Sequence, residues 1–467
     1  MLREKTLADL RKIVGPDDVL TDPNKLHDFA IDEFTQTQNA RTPLAVVRPH
    51  NTQEVAALLK CAVEHKLPVT ARGGGTGLCG GAIPCEGGIV LSMEHFNRIL
   101  EIDTDNLMVT VEAGVRLRDL YAEIEKEGLF FPPHPGEETA MIGGTIATNA
   151  GGARTVKYGT LRQFLRGLEV VLPNGETLQL GGKFVKNSTG FNLMHLFVGS
   201  EGLLGVFTKA TIALLPKPKH TVSLIAPFPS IRHAIRAVPE IIRQDLQPLA
   251  LEFVENDSIQ LTAKQLGRHW PVQAPACLLI VLDSPNENDF TSRIEATASI
   301  CEGAGSGDLF LAESTEKQKD ILYIRSQMYS AMKPWCMEIL DIVVPRSLIA
   351  DHVEAVHRIE AEYGIWLPTY GHAGDGNVHT HIMRVGFQNG KPDFDAKKSW
   401  DDLYPVVRKA IHADALDRGG MVSGEHGIGL AKKEYLPQFV GPEQLQLMRG
   451  LKQLFDPHNI LNPGKVF

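Results

Sequence analysis

The chain has 467 residues, 43 % hydrophobic and 22 % charged, with 56 acidic against 47 basic side chains and a formal net charge of −9. That length predicts two or three domains and that balance a globular protein with a large core. No run of lysine or arginine stands out that could neutralise a phosphate backbone, which argues against a nucleic-acid partner.

The N-terminal MLREKTLADLRKIVG is charged every few residues and lacks a signal-peptide apolar stretch. The longest apolar region, LFVGSEGLLGVF, is broken by Glu201 and glycines, well short of the ~20 residues a membrane span needs. A cytoplasmic chain without a transmembrane segment is the expectation. Strands then alternate with amphipathic helices. PLAVVRP (43–49) reads as a strand, and NTQEVAALLKCAVEHK as a helix with Asn51 and Glu54 as a capping box and Val55, Leu58, Leu59 and Ala62 on one stripe. The strands LPVTA, GIVLSM, NRILEID and LMVTVEAGV follow, then the helix LRDLYAEIEKEG and a glycine-rich stretch, 132–159, too long for an ordinary connection.

LRGLEVVLPNGETLQL predicts a hairpin around Pro173-Asn174-Gly175. Prolines 216 and 218 and the altered texture beyond them place a domain boundary near residue 217. The second half has longer helices (IRHAIRAVPEIIRQ, FTSRIEATASICEGAG, PRSLIADHVEAVHRIEAEYG) between strands such as ALEFVEN, CLLIVLDS and EILDIVVP, the pattern of an antiparallel sheet covered by helices.

PVTARGGGTGLCGGAIP contains G-x-G-x-x-G at Gly75, Gly77 and Gly80. A Rossmann fingerprint must open a helix, and Pro84, Gly87 and Gly88 forbid one; no Gly-Lys-Ser/Thr closes a Walker A loop either. What remains is a bare backbone able to offer several N–H groups to a pyrophosphate. MIGGTIATNAGGARTVKYGT and KNSTGFNLMHLFVGSEGLLGVF add two more such stretches, so one long dinucleotide-like ligand is expected. The six cysteines form no C-x-x-C pair, so if the chain does redox chemistry its electrons must pass through something other than its own clusters or a disulfide.

GHAGDGNVHTHI (371–382) reads as two short strands around the turn Gly374-Asp375-Gly376, so that His372 and His379 could face one another. Two imidazoles and one carboxylate form the usual ligand set of a catalytic zinc, and SGEHGIG supplies Glu425 with His426 beside it. His381 reads equally well as a satisfied polar side chain.

The ordered set ARGGGTGL, VEAGV, IGGTIATNAGGARTVKYG, VGSEGLLGV, GHAGDGNVH, SGEHGIG and LNPGKVF resembles the FAD-linked D-2-hydroxyacid dehydrogenases, the group of D-lactate, D-2-hydroxyglutarate and glycolate oxidase D-subunit proteins. The resemblance implies an α+β fold. A vanillyl-alcohol oxidase (PCMH-type) FAD-binding domain would span 1–217, with its core about 38–217, and an FAD-linked oxidase C-terminal catalytic domain 218–467. It implies that Arg72, Gly73, Gly74, Gly75, Thr76, Gly77, Gly80 and Gly81 cradle the pyrophosphate of FAD. Ile142, Gly143, Gly144, Thr148, Asn149, Gly151, Gly152, Glu201, Gly202 and Val206 would line the rest, with Asn462 near the flavin ring. The first glycine loop has no histidine for covalent attachment, so FAD is expected to bind non-covalently.

By the same likeness His372, His379 and Glu425 bind a divalent metal, zinc first with manganese or iron as alternatives, and His426 is the catalytic base. Arg325 matches the arginine that grips the substrate carboxylate, a task suited to a guanidinium fork; Asn377 orients the substrate or holds the turn. Oxidising a 2-hydroxy acid requires loss of the hydroxyl proton and of a hydride from C2, which a chelating cation, a base near neutral pH and a flavin together supply. Relatives acting on a dicarboxylate carry threonine, lysine and asparagine where this chain has Tyr329, Ile339 and His381, so a small monocarboxylate, D-lactate first, is favoured over D-2-hydroxyglutarate; a D-2-hydroxyglutarate or glycolate dehydrogenase is the runner-up. A non-catalytic FAD-binding electron-transfer subunit is the alternative from another class. Relatives imply an external electron acceptor, an electron-transfer flavoprotein or an iron–sulfur subunit, with a quinone or cytochrome also open.

Overall fold

The helix Thr52–His65 begins where its sequence says it should. Asn51 Oδ1 accepts the Glu54 N–H at 2.9 Å, and the Glu54 carboxylate reaches back to the His50 N–H at 2.8 Å. Val55, Leu58, Leu59 and Ala62 are fully buried against Ala45, Val47, Val69, Ile89 and Leu91. The computed structural model describes residues 2–34 and 40–467, so the expected onset of the FAD core at residue 38 lies outside the described residues.

The chain divides into two units. The first comprises Met1–Gly151, Thr160–Lys217 and Glu425–Phe467. In it, the helix Thr52–His65 covers a four-stranded sheet in the order Val19–Leu20, Ala45–Val47, Ile89–Ser92, Val69–Arg72. A five-stranded antiparallel sheet runs Ile99–Asp103, Met108–Glu112, Val206–Ala213, Leu165–Val171, Thr177–Gly181, the last two joined by the predicted Pro-Asn-Gly turn. The glycine-rich stretch after residue 132 is more ordered than its composition predicts. It holds a helix, Ile142–Thr148, closed by Asn149 in the left-handed conformation. Tertiary packing overrides propensity there, since a Cβ on Gly143 would come within 3.0 Å of the Ala113 Cβ.

The second unit comprises Gly152–Gly159 and Pro218–Gly424. Its seven-stranded sheet has the order Phe310–Ala312, His220–Phe228, Ala276–Ser284, Ala250–Glu255, Thr369–His372, Asn377–Met383, Cys336–Val343, with every pairing antiparallel. The predicted helices appear as Ile231–Arg243, Glu287–Gly303 and Ile349–Tyr363. The helix Trp400–Asp417 reaches Glu338 through Tyr404 Oη (2.6 Å) and Arg408 Nε (2.8 Å). Side chains alternate along a strand, so Asp341 points to the opposite face. There Asn256–Gln265, Thr315–Ser326 and Met328–Met332 pack a core that includes Val254, Leu279 and Tyr370. Segment 152–159 is held in this unit by Lys157 and Tyr158 on Asp283. Among the described residues, no helix is long and apolar enough to cross a membrane.

Candidate functional site

Each unit contributes a concentration of polar groups. In the first, the strand Val69–Arg72 runs into the glycine loop, and a cleft opens there, lined by Arg72, Gly73, Gly74, Gly75, Thr76, Gly77, Gly81, Gly143, Gly144, Thr148, Glu201, Gly202, Val206, Glu425, His426 and Asn462. Gly205 of the third glycine-rich stretch also lines it, as do Met141, Thr145, Ala147 and Phe207, which the sequence did not single out. Gly80, Ile142, Asn149, Gly151 and Gly152 lie outside that lining. Ile142 is fully buried in the core, Asn149 accepts from Thr160 Oγ1 (3.0 Å) and the Arg162 N–H (3.1 Å), and Gly152 belongs to the second unit.

The loop is braced rather than free. Arg72 lines the cleft, but its guanidinium donates to the carbonyls of Ile31 (2.7 Å), Asp28 (3.1 Å) and Ala82 (3.3 Å). Gly75 must be glycine because its φ is +70° and a Cβ would lie 2.1 Å from Arg72 Nη2. At Gly81 and Gly144, by contrast, a Cβ would meet no atom within 4 Å. Nothing in the protein requires glycine at those two positions, whereas a ligand pressed against the main chain does. The cleft therefore fits a dinucleotide. Glu201 accepts the N–H groups of Ile428 and Gly429, both at 2.8 Å, and so fixes the loop that follows His426. Asn462 Nδ2 donates to the Glu201 carbonyl at 2.8 Å. Lys465, which the sequence reading also missed, donates from Nζ to the Gly81 carbonyl (2.8 Å) and to Asn462 Oδ1 (2.9 Å); burial lowers its pKa to about 8.

In the second unit, one sheet face carries an array of polar side chains. The register pairs Glu252 with His372, His372 with Asn377, Tyr370 with His379, Asp341 with His379 and Ile339 with His381. His372 and His379 are thus diagonal neighbours, with ring centroids 5.1 Å apart and ligating nitrogens within 4.8 Å. The imidazoles are oriented by two acids that the sequence reading did not single out. His372 Nδ1 donates to Glu252 at 2.6 Å, and His379 Nδ1 lies 3.9 Å from Asp341. At His372 the carboxylate on Nδ1 leaves Nε2 as the atom that could ligate, the arrangement found behind metal-bound histidines. The donor chemistry of this pair fits a divalent cation.

Arg325 donates to the other Glu252 oxygen at 2.5 Å and lies over the Tyr370 ring, 4.6 Å from its centroid; its buried Nε has no hydrogen-bond partner among the described residues. Burial pushes the Glu252 pKa up, but His372 and Arg325 bring it below the ordinary carboxylate value. Asn377 donates to Asp341 Oδ1 (2.8 Å) and to the Ile342 carbonyl (3.0 Å), which ties the hairpin to the strand Cys336–Val343. His381 is satisfied by Tyr370 Oη at 2.9 Å and lies 3.5 Å from Cys336 Sγ. Gly424, the last residue of this unit, is fixed by its N–H on Asp341 Oδ2 at 3.0 Å; Glu425 is the next residue.

Residues 43–181 match the family model of the FAD binding domain, and residues 217–466 that of the C-terminal domain of FAD linked oxidases. The chain is similar to a D-lactate dehydrogenase of Archaeoglobus fulgidus, 45 % identical over 422 residues that cover 90 % of each protein. It is 39 % identical over 443 residues to the glycolate oxidase subunit GlcD of Bacillus subtilis, covering 94 % of this chain and 92 % of that one. The solved structure of p-cresol methylhydroxylase aligns with a TM-score of 0.81 at 17 % identity, covering 100 % of this chain and 96 % of that one. The fold is accordingly α+β with a PCMH-type FAD-binding domain, as the motifs implied. A bare, ligand-shaped glycine cleft and two family models matched along the same chain lead to one conclusion: the protein belongs to the FAD-linked oxidases and is an FAD-dependent oxidoreductase.

Proposed function

We propose that the protein oxidises a small D-2-hydroxy acid, D-lactate first, to the 2-oxo acid. The observation that carries this reading is the pair His372 and His379 with carboxylates behind both rings and a buried arginine beside them. Residues 1–217 would hold FAD non-covalently and residues 218–467 would supply the reaction, although 425–467 pack in the first unit. When bound, FAD supplies the hydride acceptor and a divalent cation supplies Lewis acidity that makes the substrate hydroxyl more acidic.

The remaining work falls to the protein. His372, His379 and Glu425 would hold the cation, zinc by preference; support for Glu425 comes from its covalent link to Gly424, which Asp341 fixes beside His379. His426, which lines the flavin cleft, would take the hydroxyl proton. Arg325 would bind the substrate carboxylate through Nε, its side chain held by Glu252 through Nη2. Tyr329 and Ile339 support a monocarboxylate. Ile339 is buried opposite His381 and cannot pair with a second carboxylate, and Tyr329, whose ring lies 6.0 Å from that of His381, brings no positive charge to one.

All six cysteines are buried and outside any disulfide, which suits a reducing cytoplasm and leaves an external protein, an electron-transfer flavoprotein or an iron–sulfur subunit, to take the electrons. The GlcD relative is itself named as a subunit. Anaerobic addition of D-lactate, L-lactate, glycolate and D-2-hydroxyglutarate to the FAD-loaded protein tests the reading. Flavin bleaching is expected fastest with D-lactate and is expected to be lost after chelation and in His426→Ala. Undiminished bleaching after both treatments overturns the mechanism.

A further inference from the structure

The first unit carries a second cluster of metal-ligating side chains, at the edge of its four-stranded sheet. Asp18 precedes the strand Val19–Leu20, His50 precedes the helix Thr52–His65, and His95 follows the strand Ile89–Ser92. The imidazoles of His50 and His95 stack, with centroids 4.2 Å apart and planes 12° from parallel. Both turn Nε2 to the same carboxylate, His50 to Asp18 Oδ2 at 2.8 Å and His95 to Asp18 Oδ1 at 3.2 Å. One ligand atom from each of the three residues lies within 4.8 Å of the other two.

The geometry points to a divalent-cation site of the zinc class at Asp18, His50 and His95, separate from any catalytic cation. Two rings stacked this closely repel one another if both are protonated. A neutral ring that presents a bare Nε2 to a carboxylate oxygen is repelled as well, so each contact needs a proton or a metal, and one cation replaces both. Two imidazoles and a carboxylate form a zinc ligand set, water completing the tetrahedron. Arg48 forms an ion pair with Asp18, Nη2 to Oδ1 at 2.9 Å, and donates from Nη1 to Glu94 at 3.1 Å. Two carboxylates against one guanidinium leave the locality negative, which favours a cation. Occupancy ties the segment that follows the helix Leu2–Val14 to the sheet beneath it.

The test is zinc titration, by heat and by elemental analysis, of FAD-loaded protein carrying His372→Ala and His379→Ala, so that the ligands assigned to catalysis do not contribute. One bound zinc is expected. Adding His95→Ala, or separately Asp18→Asn, is expected to weaken it roughly tenfold or more, while an unchanged flavin spectrum reports that the unit is folded. Zinc is also expected to slow proteolysis within residues 2–18, and not in the His95→Ala protein. Absence of a bound zinc, or a zinc indifferent to His95→Ala and Asp18→Asn, overturns the assignment.

Discussion

Glu252→Gln is the most informative single change in the second unit. Glu252 is 2 % exposed and joins two groups, His372 at 2.6 Å and Arg325 at 2.5 Å. Glutamine keeps the shape and removes the charge, leaving the guanidinium of Arg325, 13 % exposed, without its counter-ion. Breaking a buried pair from one side costs about 3–5 kcal/mol. At about 2–4 °C per kcal/mol for a unit of this size, the melting midpoint falls by roughly 6–20 °C. The same change unseats the acid behind His372 and is expected to weaken binding of the proposed cation by about 10–100-fold. The two effects separate in the double variant Glu252→Gln, Arg325→Met. Removing the stranded charge restores much of the stability, whereas His372 stays unbraced and the cation stays weak. Thermal melts and metal titrations of the three proteins provide the assay. A Glu252→Gln protein that melts with the wild type and binds its cation unchanged refutes the structural role given to this carboxylate.

Gly144→Ala is expected to leave the fold intact, since its Cβ meets nothing within 4 Å, and yet to lower FAD affinity by roughly tenfold or more, read by flavin fluorescence on release. Equal affinity would show that the open space at Gly144 is not the flavin's. Arg325→Lys is expected to raise KM for D-lactate more than it lowers kcat, because an ammonium cannot serve Glu252 and a substrate carboxylate through separate N–H edges; an unchanged KM contradicts substrate binding by this residue. Burial, opposed by the Leu367 N–H, raises the Glu360 pKa to about 7. The native state therefore keeps a proton that the unfolded chain loses near 4.5, and stability falls as pH rises from about 4.5 to 7. Glu360→Gln is expected to stabilise the protein at pH 8 by up to about 3 kcal/mol and to have little effect at pH 4; denaturant melts at the two pH values check the sign.

What the sequence revealed and what it hid follow from the range of the interactions. The Asn51–Glu54 cap, the Pro-Asn-Gly hairpin and the Gly-Asp-Gly turn are decided within five residues and were legible. The glycine loops were legible as a ligand cleft because residues without side chains have few other uses. Glu252 and Asp341 were not. Each is one acid inside an apolar strand, ALEFVEN or EILDIVVP, and Glu252 meets its partner 120 residues away. A period-2 count places both at inward positions, which is the signal that could have found them. The helix Ile142–Thr148 was hidden by its own glycines, of which Gly143 packs against Ala113 and Gly144 lines the cleft, so neither is there for propensity.

The position of the polar array explains why the fold uses a sheet there. Alternation places Glu252, Tyr370, His372, Asn377, His379, His381, Ile339 and Asp341 on one face, and a slip of one residue would turn all of a strand's members to the other. Register is therefore the quantity that must be protected. The turn that sets it is pinned by Gly376, whose φ is +95° and whose Cβ would lie 2.2 Å from the Val344 carbonyl. Strands on both sides then hold the hairpin, Ala250–Glu255 through Glu252 and Cys336–Val343 through Asp341. Burying these charges adds little net stability even when they are paired. What the pairing provides is position: Glu252, anchored in a neighbouring strand, accepts from His372 Nδ1, and Asp341 in the strand on the other side stands 3.9 Å from His379 Nδ1, so the His372 ring has a set direction before any ligand arrives.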